Sequence, residues 1–264
     1  MVGKKGESKM WFLQKWSVGG SFVLALIFLF GSAHVAAQEK SVDEWQYEFQ
    51  INGWLPTIKP TPPTGETLNW SLSDLLSNLD MMAQFGGGAR KGKWSMAVDF
   101  LYLNLGDKRT ISGEIIHHPV EVEADLDLRA LPFTLTAGYQ VTENGKNRID
   151  IIGGVRYIYI RVPITLSLGD QLLKLTTPKI ITWDGIVGLQ GKTTINDQWY
   201  FDYYGDIGTG QSDITWQIKA GFGYNFNKWT ALFGYRHLRW DYESGTDLED
   251  LTITGPYIAA KWTF

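Results

Sequence analysis

The chain has 264 residues, a formal net charge of −4, 14% aromatic residues, 29 Gly and no Cys. The lack of thiols excludes disulfides and thiolate metal sites, and the mild acidity gives no footing for nucleic-acid binding. Past the first forty or so positions there is no run of about 18 apolar residues, the minimum for a spanning helix, so helical membrane crossing is excluded there.

Lys4, Lys5, Lys9 and Lys15 precede the apolar run Phe22–Phe30 (FVLALIFLF), and Val35-Ala36-Ala37-Gln38 follows it. A basic lead, a short apolar centre and small residues at the cleavage positions predict a secretory signal peptide over 1–37, cut after Ala37. The apolar run is short against the roughly 20 residues of a membrane anchor. Residues 38–264 are then one exported domain.

From Trp45 onward the dominant period is two. Trp45–Asn52 (WQYEFQIN) sets Trp45, Tyr47, Phe49 and Ile51 on one face, with Gln46, Glu48, Gln50 and Asn52 on the other. Ser71–Asp80 departs from this. Leu72, Leu75, Leu76 and Leu79 fall at helical spacing and Ser71 with Asp74 resembles a capping box, predicting a short amphipathic helix. Trp94–Asn104 alternates again, with Trp94, Met96, Val98, Phe100 and Tyr102 against Ser95, Ala97 and Asp99. Trp199–Asp206 and Ile214–Phe226 do the same.

Ten strands follow from this pattern, near 45–55, 81–90, 94–104, 120–140, 149–161, 180–191, 199–207, 214–226, 229–241 and 251–264; eight is the alternative count. Gly86-Gly87-Gly88 leaves the second strand's register open. A change of phase near Arg129–Pro132 predicts a bulge in the fourth. The fifth and sixth strands are expected to continue as a hairpin through Pro163–Lys179. Connections at 91–93, 142–147, 192–198 and 227–228 are short, whereas 56–80, 105–119 and 162–179 are long. Gly208–Asp213 breaks the trend by being short. Short turns at one end and long loops at the other are the plan of a transmembrane antiparallel up-and-down β-barrel of the cell outer membrane. An even strand count puts both barrel termini at the short-turn end, the periplasmic one.

Trp94, Trp199 and Trp229 each follow a polar short turn, Trp45 opens the first strand and Trp262 nearly closes the last. All five fall at one height, as expected of membrane-interface aromatics. Trp54, Tyr102, Tyr157, Tyr159, Trp183, Trp216 and Trp240 form a second level, some of them free to point inward. A soluble sandwich has no need of Trp repeated at strand starts.

The chain ends Ala259-Ala260-Lys261-Trp262-Thr263-Phe264. Trp262 and Phe264 on alternate positions resemble the terminal signature that the outer-membrane barrel assembly machinery reads, although such families often have Gly where this chain has Ala259. Gly154-Val155-Arg156-Tyr157, Gly208, Ser212–Gln217, Ala220–Phe226, Gly234-Tyr235-Arg236 and Gly255-Pro256 widen the likeness. They are similar to a broad group of Gram-negative outer-membrane β-barrel proteins, porin-like or OmpW-like small barrels. The resemblance implies the fold, the outer-membrane location and contact with the assembly machinery through the last strand. It carries no substrate, cofactor or catalytic residue.

With the aromatic face outward, the lumen takes Glu48, Asp99, Asp150, Arg156, Asp184, Asp202, Asp206, Lys219, Arg236 and Lys261. A tight turn at 227–228 sets Lys219 opposite Arg236, and the connection at 208–213 sets Asp202 opposite Lys219, giving a row Asp202–Lys219–Arg236. Asp184 is expected opposite Asp206, an acidic pair that needs a cation such as Arg156. Two readings stay open: a charged constriction selecting small solutes, or a salt-bridge network filling a narrow barrel. Catalysis is the rival class. His117 and His118 lie near Glu114 and Glu121, and His237 falls on the lipid face with Asp241, which is too little for a catalytic or metal constellation. A surface-interaction or adhesion role is the third class. The expected partners are outer-membrane lipid, the assembly machinery and, for a pore, a small solute. No cofactor or metal is indicated.

Overall fold

A computed structural model describes residues 44–61, 79–115, 118–161, 164–168, 171–174, 179–243 and 248–264, all of them in strands, turns or connecting segments. The strands are β1 (Gln46–Trp54), β2 (Thr57–Thr61), β3 (Leu79–Lys91), β4 (Trp94–Ile115), β5 (His118–Glu143), β6 (Asn147–Arg161), β7 (Ile164–Leu168), β8 (Gln171–Lys174), β9 (Lys179–Thr194), β10 (Trp199–Gly210), β11 (Ile214–Asn225), β12 (Thr230–Asp241) and β13 (Asp250–Thr263). Antiparallel pairing runs β1-β3-β4-β5-β6-β9-β10-β11-β12-β13 and returns to β1. After a break at Leu55-Pro56, β2 continues β1 along the same neighbour, β13, so the closed ring has ten strands.

Closure is local chemistry at the two chain ends of the barrel. Phe49 faces Trp262 and Ile51 faces Ala260. Tyr47 N–H donates to the Phe264 carbonyl at 3.1 Å and Phe264 N–H to the Tyr47 carbonyl at 2.8 Å. The ring of β1, β3–β6 and β9–β13 thus closes through backbone hydrogen bonds between its first and last strands. Short turns set the register at that end. Gly92 takes φ +56° inside a two-residue hairpin, where a left-handed residue matches strand twist.

Several expectations need correction. The loop expected over 105–119 is ladder: β4 and β5 stay paired from Leu103↔Ala130 to Ile115↔His118, making them the longest strands, with 22 and 26 residues. The hairpin expected to extend the fifth and sixth strands is present: β7 prolongs β6 along β5 in the register of Arg129↔Arg161, and the strand after it returns toward β9. β7 pairs with β5 (Asp125↔Thr165), and β8 pairs with β7. No bulge occurs at Arg129–Pro132; the irregularity between β5 and β6 lies between Gln140 and Thr142. Of the helix expected over Ser71–Asp80, residues 71–78 lie outside the described residues, and Leu79 and Asp80 open β3.

The apparent change of phase in β5 has a different cause. Inward residues continue to alternate through Thr136, Thr134, Pro132 and Ala130, all buried. What changes is their polarity. The same switch occurs on the other strands: Asp99 gives way to Leu101 and Leu103, Arg156 to Ile158 and Ile160, Arg236 to Leu238 and Trp240, Asn52 to Trp54 and Ile58. The outer face switches the opposite way. Phe233 and Tyr235 are followed by His237 and Arg239, Ile258 by Thr254 and Thr252, and Ile181 by Lys179. Below the switch the barrel is apolar outside and polar inside; above it the polarity is inverted. Trp54 and Trp240 therefore point inward and do not belong to an outer aromatic level, whereas Trp183 is exposed on the outer face.

Val187 and Ile258, each 63% exposed, stand in the apolar outer band on opposite stretches of the ring. Replacing either by Arg should lower stability in lipid vesicles by about 2–4 kcal/mol, the figure for a cation near a bilayer midplane. Urea unfolding followed by Trp fluorescence measures this. A change within error at both positions would place that band in water.

Candidate functional site

The barrel interior is tiered. At the short-turn end a polar cavity of about 220 Å³ is lined by Glu48, Arg90, Asp150, Gln190, Lys192 and Lys261, with Asp202, Lys219 and Tyr200 in its wall. Arg90 forms an ion pair with Asp150 on β6, reaching across the lumen past two strands. Gln190 Nε2 donates to the same Asp150 oxygen at 3.0 Å. Lys261 Nζ lies 3.7 Å from Glu48 Oε2. Lys192 Nζ stands 3.8 Å from the centroid of the Tyr200 ring, and Lys261 Nζ 5.4 Å from it, so that one phenol ring carries two ammonium groups.

The middle tier consists of two buried guanidinium groups. Arg156 has no exposed surface. It donates to Asp206 Oδ2 at 2.5 Å, to Thr215 Oγ1 at 2.9 Å and to Thr134 Oγ1 at 3.5 Å. Arg236 donates to Asp99 Oδ1 at 3.1 Å and to Gln217 Oε1 at 2.9 Å. Both meet a Trp above them: Arg156 lies 5.9 Å from the Trp240 centroid and Arg236 4.6 Å from that of Trp54. Buried charge is tolerated only when paired and hydrogen-bonded in this way.

The outward tier is a packed apolar core of Trp54, Ile58, Leu101, Leu103, Ile158, Ile160, Leu238, Trp240, Leu251 and Ile253. Trp54 Nε1 donates to the Gly255 carbonyl at 3.2 Å, which ties the indole to the neighbouring strand β13. Tyr242, just past β12, packs on this core and accepts a hydrogen bond from Thr182 at 3.3 Å. Burial pushes its hydroxyl up to about 12, so it stays neutral under the apolar lid.

Glu48, Asp99, Asp150, Asp202, Lys219 and Lys261 line the cavity and Arg156, Asp184, Asp206 and Arg236 are buried, but the cross-strand pairing differs from the register expectation. Lys219 is opposite Arg236, as the tight turn requires. Asp202 is opposite Gly221 and Lys192, while Tyr204 faces Lys219. The row Asp202–Lys219–Arg236 therefore does not form. Asp184 is opposite Gly210 and Asp206 opposite Gly188, so these two carboxylates are not cross-strand partners. Arg156, opposite Asp184 on β9, supplies the cation to Asp206. Asp184 Oδ1 instead accepts from the Ser212 N–H at 2.9 Å.

The sequence reading missed Arg90, Gln190, Lys192 and Tyr200. Arg90 sits beyond the Gly86–Gly88 run that left the register open, and Lys192 was assigned to a turn although β9 runs on to Thr194. Of the histidines, His117 lies outside the described residues. His237 stacks on Trp216 at 4.5 Å on the outer face, its Nδ1 3.2 Å from Thr254 Oγ1.

A closed, even-stranded antiparallel ring with an apolar outside around a polar interior defines the class: a small β-barrel of the outer-membrane type. No family model matches the chain, and no curated protein matches it. Among solved structures it is similar to the outer membrane protease OmpT from Escherichia coli, at 11% identity over 86% of this chain and 99% of that one, with a TM-score of 0.46. It is also similar to the translocator domain of the autotransporter NalP from Neisseria meningitidis, at 10% identity over 93% and 94%, TM-score 0.46. A third is the attachment invasion locus protein Ail of Yersinia pestis, at 8% identity over 84% and 99%, TM-score 0.37.

Proposed function

We propose that this protein is an integral barrel of the cell outer membrane with a sealed lumen, a structural or surface-presenting barrel rather than an open pore. The carrying observation is the outward tier: Trp54 and Trp240, 1% and 0% exposed, close the lumen above two ion-paired arginines. Side chains fill barrels of this girth readily.

The membrane reading is supported by the aromatics at the short-turn end. Trp94 packs on Tyr139 at 4.9 Å, Trp199 on Tyr224 at 4.9 Å, Trp229 on Phe226 at 4.5 Å and Trp262 on Phe49 at 6.3 Å, with Trp45 beside Tyr47. Such a girdle at one height suits a headgroup layer. Lipid is then the partner of the apolar face, the assembly machinery that of β13, and the β4–β5–β7–β8 extension the surface offered outward. A small solute could enter the polar cavity from the periplasm without crossing. The reading is non-enzymatic: His237, the histidine whose side chain is described on a barrel strand, is engaged with Trp216 and Thr254 on the outer face.

Planar-bilayer recording tests this. The refolded wild type should insert without stable conductance steps. Ion-selective openings altered by Lys219→Glu and Arg236→Glu would replace the sealed barrel by a narrow pore.

A further inference from the structure

We infer that Arg129, Arg161 and Lys179 form a binding site for the phosphate groups of an outer-leaflet lipid headgroup; the inference rests on the outer-membrane reading above. These three residues are direct register partners on β5, β6 and β9, Arg129 opposite Arg161 and Arg161 opposite Lys179. All three are exposed and share the outward parity of Leu135, Val155 and Val187. Adjacent strands lie about 4.8 Å apart, so three like charges stand side by side. Like charges directly opposite each other destabilise a sheet. No ion pair to a carboxylate relieves them among the described residues. An anion from outside the chain would relieve this repulsion.

Their height says which anion. The rows beneath are Leu131–Tyr159–Ile181 and Phe133–Tyr157–Trp183, apolar and aromatic, with Tyr157 and Trp183 in contact at 4.6 Å. Lys179 Nζ lies 5.7 Å from the Tyr159 centroid, its ammonium held at the edge of that surface. From Tyr139, in the short-turn girdle, to Arg129 on the same strand is about 33 Å of chain at about 3.3 Å per residue. Tilted about 40°, that is about 25 Å of height, the depth of the apolar band of an outer-membrane barrel. The cationic row thus stands where acyl chains end and headgroup phosphates begin. Arg129 and Arg161 bring planar guanidinium forks suited to phosphate oxygens, and Lys179 adds a point charge.

The test uses the refolded barrel in detergent, titrated with a diphosphorylated lipid A, with the same lipid dephosphorylated, and with inorganic phosphate, binding being read by native mass spectrometry. Each basic residue near a headgroup contributes on the order of fivefold, so the triple variant Arg129→Gln/Arg161→Gln/Lys179→Gln should bind the diphosphorylated lipid about a hundredfold more weakly. The dephosphorylated lipid should bind the wild type no better than that. Equal affinity of wild type and triple variant overturns the site, as does equal affinity for the two lipids. Full competition by millimolar inorganic phosphate overturns the lipid assignment in favour of a free anion. A heat-dependent gel shift checks each protein's fold. A wild type that fails to insert into vesicles overturns the membrane reading and this inference with it; insertion without phosphate dependence overturns this inference alone.

Discussion

Replacing Arg156 by Met should destabilise the barrel by about 3–5 kcal/mol, the range for removing one partner of a buried ion pair. Arg156 is the hub of the middle tier. Its guanidinium holds Asp206 at 2.5 Å, and Asp184 is its register partner on β9. The Asp206 side chain has no exposed surface, so water cannot replace the lost cation. The unpaired carboxylate is then left in a poorly solvated wall. Arg156→Met/Asp206→Leu removes both charges together and should recover most of the loss, since an apolar pair of similar volume is often neutral or better. Asp184 would keep its bond from the Ser212 N–H. Urea unfolding in vesicles, with Trp fluorescence and a constant m-value, separates the two variants. A single-variant loss below about 1 kcal/mol would mean that the pair behaves as a solvated surface bridge.

The pattern of this site explains what could be read from the chain. Period two alone assigned β1, β10 and β11, the first half of β4 and the ten-strand count, because one face of each strand is uniform over most of that length. Tight turns also transmitted register: two residues at 227–228 fix Lys219 opposite Arg236. The connection at 208–213 has slack, since Ser212 is buried beneath Asp184 and the strand leaves the ladder after Gly210. A shift of two positions follows, enough to exchange Asp202 for Tyr204 beside Lys219. Pairing across the lumen was beyond local reading altogether. Arg90–Asp150 and Arg236–Asp99 join strands two or more places apart in the ring, and their meeting depends on how the closed sheet is staggered.

The second thing hidden from periodicity was the change of solvent. Alternation has the same period whether lipid or water lies outside. On the proposed membrane reading, the two faces exchange polarity where lipid gives way to water, without any change of register. Ala130, Ile158 and Trp240 continue the inward series of Thr134, Arg156 and Arg236 as apolar residues. In sequence this resembles a bulge; in the barrel it is the point at which the interior begins to need a hydrophobic core. The cationic row at Arg129, Arg161 and Lys179 stands on the outer face at that same level, where a boundary between two solvents is expected to be marked by charge.

If that apolar core is the seal, opening it should create conductance where the wild type has none. The variant Trp54→Ser/Trp240→Ser removes the two indoles that cap Arg236 and Arg156 and gives water hydroxyl partners in their place. Hydrophobic constrictions close a path by excluding water, and water enters a cavity only where polar groups can hold it. Each Trp truncation should cost about 3–5 kcal/mol of stability, so folding must be checked by gel shift before recording. Trp54→Ser also removes the ring facing Arg236 and the hydrogen bond to Gly255, and leaves Arg236 held by Asp99 and Gln217 alone. The expected record is a flat baseline for wild type, brief flickers for either single variant, and stable steps for the double variant. Adding Arg236→Ser should enlarge those steps, because its guanidinium is then the next obstacle between the opened mouth and the polar cavity below. A double variant that stays silent while folded would move the seal from the Trp pair to the ion-paired tier, where Arg156 and Arg236 close the lumen unaided.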